Sequence, residues 1–181
     1  MQNVMLIDGL RVHTVPKVGS ASIDKALRRF TNRHASPDEP GEEYRWMVVR
    51  HPLDRLVSAW AYFCKKDGPP KTMQGIGTFS WMPFGEWLER VLPDPSVNSH
   101  VQPQVDFKGP FRMDRLCRLE NLNSEWKALR GRFPCILPVE RWNKTTHDPW
   151  PSYYTPAQRS AAERAFAADI DLYESSTPRR P

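Results

Sequence analysis

The segment 16–22, with the sequence PKVGSAS, combines a lysine, a glycine and two serines. A lysine supplies a full positive charge, serine hydroxyls donate hydrogen bonds, and a glycine lets the backbone approach a ligand closely. The segment follows a strand-like alternation at 10–15 and precedes helical spacing of apolar residues at 23–30. Since a helix N-terminus binds anions, this order predicts a phosphate-type site. Its members are Lys17, Val18, Gly19, Ser20, Ala21 and Ser22.

This loop differs from the phosphate-binding loop of nucleotide-hydrolysing proteins. That motif, G-x-x-x-x-G-K-[ST], has its lysine directly after the second glycine and a hydroxyl that holds magnesium. Here Lys17 precedes Gly19, and no glycine opens the loop. Taken alone, the segment also fits an ordinary strand-to-helix turn with an exposed lysine.

A second candidate anion site follows the apolar segment 44–49, which predicts a buried strand. Arg50 comes directly after this strand, Pro52 suits the first turn of a helix, and Ser58 lies two turns further on. An arginine can hold a phosphate through two parallel hydrogen bonds, so Arg50 and Ser58 predict a second phosphate site. The same residues also fit a surface ion pair and an ordinary helix position.

The elements around these sites predict an α/β fold. Two consecutive strand–loop–helix units imply a mainly parallel central sheet with flanking helices, and such sheets bind ligands beyond the carboxyl ends of their strands. Asp8-Gly9 between apolar segments predicts a hairpin. Further along the chain we expect helices at 53–64, 84–92, 124–130 and 156–173, strands at 115–119 and 135–139, and long loops at 67–82 and 93–110.

The bulk properties of the 181-residue chain predict one domain, 1–181, with a disordered tail at 175–181, although two small units also fit this length. Hydrophobic residues make up 39%, which excludes a disordered protein. The net charge of +5 favours an acidic ligand. The three cysteines lack metal-ligand spacing and predict thiols in a reducing compartment. No apolar run is long enough for a membrane span or a secretory signal.

Four segments resemble motifs of the carbohydrate sulfotransferase family, also called sulfotransferase family 2. Segment 16–22 is similar to the 5′-phosphosulfate loop, and segment 49–60 is similar to the 3′-phosphate motif R-x-P-x-x-R-x-x-S-A-[YW]. Segment 98–104 resembles the H-x-x-P-Q segment, and 118–122 the L-E-x-L segment. The likeness implies a P-loop-like sulfotransferase fold. The chain lacks the anchor and insertions of Golgi members, so it resembles short bacterial or phage members and we expect a soluble cytoplasmic enzyme.

The resemblance implies 3′-phosphoadenosine-5′-phosphosulfate (PAPS) as donor, adenosine 3′,5′-bisphosphate (PAP) as product, and no metal. It further implies that Lys17 neutralises the leaving oxygen, that the loop 17–22 holds the 5′-phosphate, and that Arg50 and Ser58 hold the 3′-phosphate. Arg55 either assists or pairs with a carboxylate. The acceptor is expected to be a glycan or a small hydroxyl compound, with neither nucleic acid nor a membrane as partner; the oligomeric state stays open.

A hydroxyl acceptor needs a general base, and His100 is the first candidate because histidine titrates near neutrality. A histidine that is hydrogen-bonded within its loop is the structural alternative. Glu120 is a second candidate base or an orienting carboxylate. His13 is expected on the polar side of its strand in a structural role, and His34 and His51 are less favoured.

Three other functions remain compatible with the sequence. A P-loop kinase would depend on ATP and magnesium, although the glycine–lysine–hydroxyl triplet is missing. A non-catalytic nucleic-acid-binding protein would use the positive charge and exposed aromatic residues such as Trp46 or Trp81. A degenerate sulfotransferase would bind the donor without an acceptor pocket.

Overall fold

A computed structural model describes residues 4–27, 33–35, 38, 40–64, 66, 68–140 and 147–176. The chain divides into two compact units. The first unit comprises Met1–Arg50, Gln104–Asn143 and Leu172–Pro181, and the second comprises His51–Pro103 and Lys144–Asp171. Each unit has its own hydrophobic core.

The strands are β1 (Val4–Ile7), β2 (Leu10–His13), β3 (Arg33–Ala35), β4 (Tyr44–Val49), β5 (Lys71–Met73), β6 (Gly77–Phe79) and β7 (Arg115–Arg118). The helices are α1 (Ser20–Leu27), α2 (Pro52–Phe63), α3 (Phe84–Val91), α4 (Gln104–Lys108), α5 (Leu122–Arg132), α6 (Pro156–Ala165) and α7 (Ala167–Ser175). Short 3-10 helices cover Pro95–Val97, Leu119–Asn121 and Trp150–Tyr153.

The first unit is built on a five-stranded sheet with the order β3-β1-β2-β4-β7 among the described residues. Strands β2, β4 and β7 run parallel, and β1 and β3 extend the sheet antiparallel. This arrangement confirms the α/β class, the central parallel strands and the flanking helices. The P-loop-like detail of the fold stays a prediction.

The hairpin between β1 and β2 confirms the prediction made from Asp8-Gly9. Ile7 pairs with Leu10 across the turn, and the φ angles of Asp8 and Gly9 are 28° and 80°. A two-residue turn of this type needs positive φ at both central positions, which aspartate tolerates and glycine adopts without a penalty. The turn therefore sets the register that places β2 beside β4.

The core of the first unit lies between this sheet and helices α1 and α5. Trp46 on β4 and Trp126 on α5 meet edge to face with ring centroids 5.4 Å apart, and both are buried. Such aromatic pairs contribute about 0.5–1.5 kcal/mol beyond the area that they bury. The contact fixes α5 on the sheet, and it removes Trp46 from the surface where a nucleic acid would need it.

The second unit is mainly helical, with a core rich in aromatic residues around α2, α3 and α6. Phe84 contacts Trp60, Tyr153 and Tyr154 through ring edges. Helix α6 begins with the predicted signal, because the Thr155 side chain accepts from the Gln158 backbone N–H and Gln158 reaches back to Thr155. Helix α2 begins at Pro52 as predicted.

Four predictions of local structure are wrong. The loop at 67–82 contains the β5–β6 hairpin, whose Met73 and Phe79 are buried in the core of the second unit. The stretch 93–110 contains a 3-10 helix and α4. The stretch 135–139 forms no strand. The tail is ordered through Ser176, which is buried; 177–181 and residues 28–30 of the predicted first helix lie outside the described residues.

The cysteines agree with the expectation of free thiols. Cys64 and Cys117 are buried and Cys135 is half-buried, all three unpaired. Burial raises the pKa of the Cys64 thiol to about 11, and it also raises the pKa of Cys117. Both thiols are therefore protonated and unreactive near neutral pH. Across the described ranges, no helix is both long and apolar enough to span a bilayer.

Candidate active site

The predicted anion loop joins the end of β2 at His13 to the start of α1 at Ser20. The φ angles of Lys17 and Gly19 are 71° and 82°. Gly19 O accepts from the backbone N–H of Ser22 at 3.0 Å and of Ile23 at 3.1 Å, which starts the helix. The N–H groups of Ser20 and Ala21 precede these bonds, and helix geometry offers them to a ligand.

Gly19 is favoured mainly by its backbone conformation, and also by the limited space beside its Cα. A Cβ atom on Gly19 would lie 3.3 Å from Leu119 Cδ1 and 3.5 Å from Leu122 Cδ2. Leu119 follows β7 and Leu122 opens α5, so the loop packs directly on both. A residue with a Cβ would press on Leu119 by a few tenths of an ångström, and it would have to adopt a φ angle that side chains disfavour.

The side chains of the predicted loop residues differ in how far they are buried. Val18 and Ser22 are buried, so Val18 contributes only its backbone to any ligand site. Lys17 and Ser20 are half-buried, and Ala21 is exposed. The loop and the first residues of α1 therefore supply an ammonium group, a hydroxyl group and backbone N–H groups, which are the kinds of donors that bind an anion.

Arg50 lies beside this loop. Strands β2 and β4 are parallel neighbours, with His13 opposite Met47, so both chains leave the sheet at the same edge. The Arg50 side chain donates from Nη1 to the Lys17 carbonyl oxygen at 3.1 Å. The two predicted anion-binding groups of the first unit are thus brought together.

Gln104 is a residue of this region that sequence reasoning did not assign. Its Oε1 accepts from the Arg50 backbone N–H at 3.0 Å, and its Nε2 donates to the Arg50 carbonyl oxygen at 2.8 Å. The Gln104 side chain is fully buried. The available signal was its place as the last residue of segment 98–104, which resembles the H-x-x-P-Q segment of the family.

His13 was expected on a polar face, and this prediction is wrong. The residue is fully buried, and its Nδ1 donates to the Phe107 carbonyl oxygen of α4 at 2.9 Å. Burial is the main cause that lowers the pKa of His13 to about 4; the bond to Phe107 opposes the shift, and nearby Arg45, Arg11 and Lys108 add to it. The imidazole is therefore neutral at pH 7, in agreement with the expected structural role.

In the second unit, Ser58 and Arg55 are both buried on α2. Arg55 donates from Nη1 to Gln102 O at 2.7 Å and from Nη2 to Ser99 O at 2.9 Å. Charged hydrogen bonds of this kind contribute about 1.5–3 kcal/mol each. Arg55 thus fastens the loop that carries His100 to α2.

His100 is half-buried, between two aromatic rings of α2. Its ring stacks on Tyr62 with centroids 6.1 Å apart and planes 5° from parallel, and it meets the edge of Phe63 at 5.0 Å. The Lys71 ammonium lies 3.5 Å from the centroid of the Tyr62 ring. These contacts hold the imidazole in one plane.

Asn98 determines which nitrogen of His100 carries the proton. Asn98 Nδ2 donates to Gln74 O at 2.9 Å, so its Oδ1 faces the other way. This oxygen accepts from the His100 backbone N–H at 3.0 Å and lies 3.2 Å from His100 Nδ1. Because a carbonyl oxygen only accepts, the neutral ring carries its hydrogen on Nδ1 and its lone pair on Nε2.

A model described as "Sulfotransferase family" matches residues 8–174, which include both strand–loop–helix units. The chain belongs to the sulfotransferase family. No curated protein and no solved structure matches the chain. The predicted family is thereby confirmed, and membership supports sulfuryl transfer in general as the activity. The carbohydrate specificity, the likeness to bacterial or phage members and the roles of segments 16–22 and 49–60 stay predictions.

The other residues of this sulfotransferase that were considered as a general base have different surroundings from His100. His51 stacks on Trp150 with ring centroids 4.6 Å apart. Glu120 is exposed, and its carboxylate accepts from the Tyr173 hydroxyl at 3.4 Å. The His34 side chain lies outside the described residues. Within the described parts of the chain, no group of three or more histidine, cysteine, aspartate or glutamate residues is placed to hold a metal.

Proposed function

We propose that this sulfotransferase transfers a sulfuryl group from PAPS to a hydroxyl, or an amine, of an acceptor and releases PAP. The observation that carries the proposal is the 3.1 Å hydrogen bond from Arg50 to the Lys17 carbonyl. This bond joins the Arg50 side chain to the backbone of the loop that carries Lys17, just before α1, and this proximity supports the proposal. A nucleotide with phosphate at both the 5′ and the 3′ position suits this pair of groups.

The donor set of the first unit fits the two ends of such a nucleotide. The loop N–H groups and the positive end of α1 suit the 5′-phosphosulfate. The Arg50 guanidinium suits a 3′-phosphate, because its planar fork matches phosphate oxygens in pairs. The assignment of Ser58 to the same phosphate rests on the sequence motif.

PAPS supplies an activated sulfuryl group. In the proposed transfer, an acceptor oxygen forms the new S–O bond while the bond from sulfur to the bridging oxygen of the 5′-phosphate breaks, and the electron pair stays on that oxygen. Lys17 is the residue that stabilises this developing charge, and by analogy with oxyanion-hole donors the contribution is about 10²–10³ in rate. Alignment and charge stabilisation are the main requirements of such transfers.

His100 is the proposed proton acceptor. With the hydrogen on Nδ1 directed to Asn98, the lone pair on Nε2 takes the proton that the acceptor hydroxyl loses. Asn98 and the two aromatic rings act on His100 as positioning groups. We expect the acceptor to be a glycan or a small hydroxyl compound, and a screen of such compounds with labelled donor identifies it.

Calorimetry tests the donor. The protein should bind PAP without a metal and should bind ATP with magnesium far more weakly. Tighter binding of ATP with magnesium would favour a kinase, and steeply salt-dependent binding of oligonucleotides without preference for PAP would favour a nucleic-acid-binding protein.

The variant Lys17→Ala tests the transfer step. We expect kcat to fall by about 10²–10³ with PAP binding largely kept, because the ammonium acts mainly on the charge that develops at the leaving oxygen. Lys25→Ala is the matched control, since Lys25 is an exposed lysine on α1, the helix that follows the loop of Lys17. Equal rates for Lys17→Ala and the control would reject the assignment.

A further inference from the structure

We propose that Gln104 is a positioning residue that sets the direction of Arg50 for the 3′-phosphate. This inference rests on the function proposed above. Gln104 is fully buried, and its amide group bonds to both the N–H and the carbonyl of Arg50. One side chain therefore restrains the backbone on both sides of the Arg50 Cα.

The need for such a restraint follows from where β4 ends. The pairing of β4 with β7 ends at Val49, which lies opposite Arg118. Arg50 is the next residue, so the sheet does not fix its backbone. The Gln104 amide offers the same acceptor and donor that a neighbouring strand would offer. Backbone hydrogen bonding therefore continues one residue past the end of β4, to Arg50.

Helix α4 is itself held at its other end. The Phe107 carbonyl accepts from His13 Nδ1 at 2.9 Å, and the Phe107 side chain is buried in the core of the first unit. Since His13 ends β2 and Gln104 contacts the residue after β4, α4 is bonded to both strands that lead into the predicted phosphate sites. This connection adds to the pairing of β2 with β4, which brings Lys17 and Arg50 to the same edge of the sheet.

A positioning role for Gln104 predicts that a variant at this position loses affinity only for nucleotides that carry a 3′-phosphate. Gln104→Met keeps the side-chain length and removes both hydrogen bonds. We expect this variant to bind PAP about tenfold more weakly, since a small misplacement of a binding group has a large effect, while its affinity for adenosine 5′-monophosphate changes less than about threefold. Gln102→Met, the same substitution in a half-buried glutamine two residues earlier, should leave both affinities unchanged.

The possible outcomes separate this inference from the proposed function. If the wild-type protein binds PAP no more tightly than adenosine 5′-monophosphate, the proposed function fails. If the wild type prefers PAP and Gln104→Met keeps the same preference, or if the variant loses affinity for both nucleotides equally, the positioning role is overturned.

A second variant keeps the test decisive if Gln104→Met does not fold. In Gln104→Glu the ionised carboxylate accepts from the Arg50 N–H but cannot donate to its carbonyl, whereas the protonated form does both. The preference of this variant for PAP, relative to the wild type at the same pH, should therefore recover as the pH falls. A ratio that does not change with pH contradicts the proposal.

Discussion

The two units hold their candidate functional residues by different means. In the first unit, Lys17, Arg50 and Gln104 are linked through backbone groups: the Arg50 side chain bonds to the Lys17 carbonyl, and Gln104 bonds to both backbone groups of Arg50. In the second unit, His100 is held by ring contacts with Tyr62 and Phe63 and by the side chain of Asn98. Backbone bonds fix a position, whereas ring stacking tolerates sliding.

Arg50 and Arg55 show the same contrast within one motif. Arg50 is half-buried, and its side chain donates to the backbone carbonyl of Lys17 in the predicted anion loop. Arg55 is 1% exposed, and it donates to the carbonyls of Gln102 and Ser99. One arginine is suited to a ligand and the other to a loop.

The largest expected effect that tests this contrast is at His100. His100→Ala should lower kcat by about 10²–10⁴, because the acceptor hydroxyl then loses its general base, and should leave PAP affinity unchanged. His147→Ala is the control, another histidine of the second unit. A loss of kcat below tenfold would move the role of base elsewhere. A large loss of PAP affinity would contradict the assignment of His100 to the acceptor and not to the donor nucleotide.

The next effect concerns the pH dependence of stability and arises from His13. Its pKa is about 4 in the folded state and 6.5 in the unfolded chain, so below pH 6.5 the unfolded chain binds a proton that the folded state excludes. The contribution of His13 to the free energy of unfolding is therefore complete above pH 6.5 and is lost by pH 4, a change of about 3 kcal/mol.

Chemical denaturation of His13→Asn measures this effect. Asparagine keeps a donor for the Phe107 carbonyl but does not titrate. The difference in the free energy of unfolding between wild type and variant should shrink as the pH falls from 7 to 4. A difference that is constant over this range would show that His13 is not the group responsible.

The smallest expected effects separate Arg50 from Arg55. Arg50→Ala should weaken the free energy of PAP binding by about 1.5–3 kcal/mol, with little change in thermal stability. Arg55→Met should lower the free energy of unfolding by about 1–3 kcal/mol, because the carbonyls of Gln102 and Ser99 lose a buried donor, and should leave PAP affinity of the folded protein unchanged. Calorimetry and thermal melts check both. Identical behaviour of the two variants would remove the distinction drawn above.

Elements that depend on local residues could be predicted from the sequence. The Asp8-Gly9 turn, the Pro52 start of α2 and the Thr155 cap of α6 each depend on residues within one turn of the chain. The order strand, loop, helix around Lys17 was also readable, because its signals lie within about twenty residues. The pairing of β2 with β4 followed from the rule for consecutive parallel units.

Features that depend on distant partners could not be predicted in this way. The apolar stretch 135–139 has the composition of a strand, but side chains of α5 take its carbonyls: Trp126 Nε1 donates to Leu137 O at 2.8 Å, and Arg130 Nε donates to Ile136 O at 3.1 Å. The alternation of apolar and polar residues in β2 predicts that His13 faces outward, yet α4, more than ninety residues later in the chain, covers it. Gln104 bonds to Arg50 across 54 residues, so its contact could not be predicted from neighbouring residues, and the only signal was its place in segment 98–104.

The positive φ angle of Lys17 lowers the stability of the loop that the residue occupies. A φ angle of 71° is costly for any residue with a Cβ, by about 1–2 kcal/mol, and a glycine would adopt it freely. Replacing Lys17 by glycine would thus relax the loop while removing its ammonium group. Under the proposed role of Lys17, the loop before α1 keeps a cation at the cost of a less favourable turn, so selection for thermal stability alone should replace this lysine by glycine.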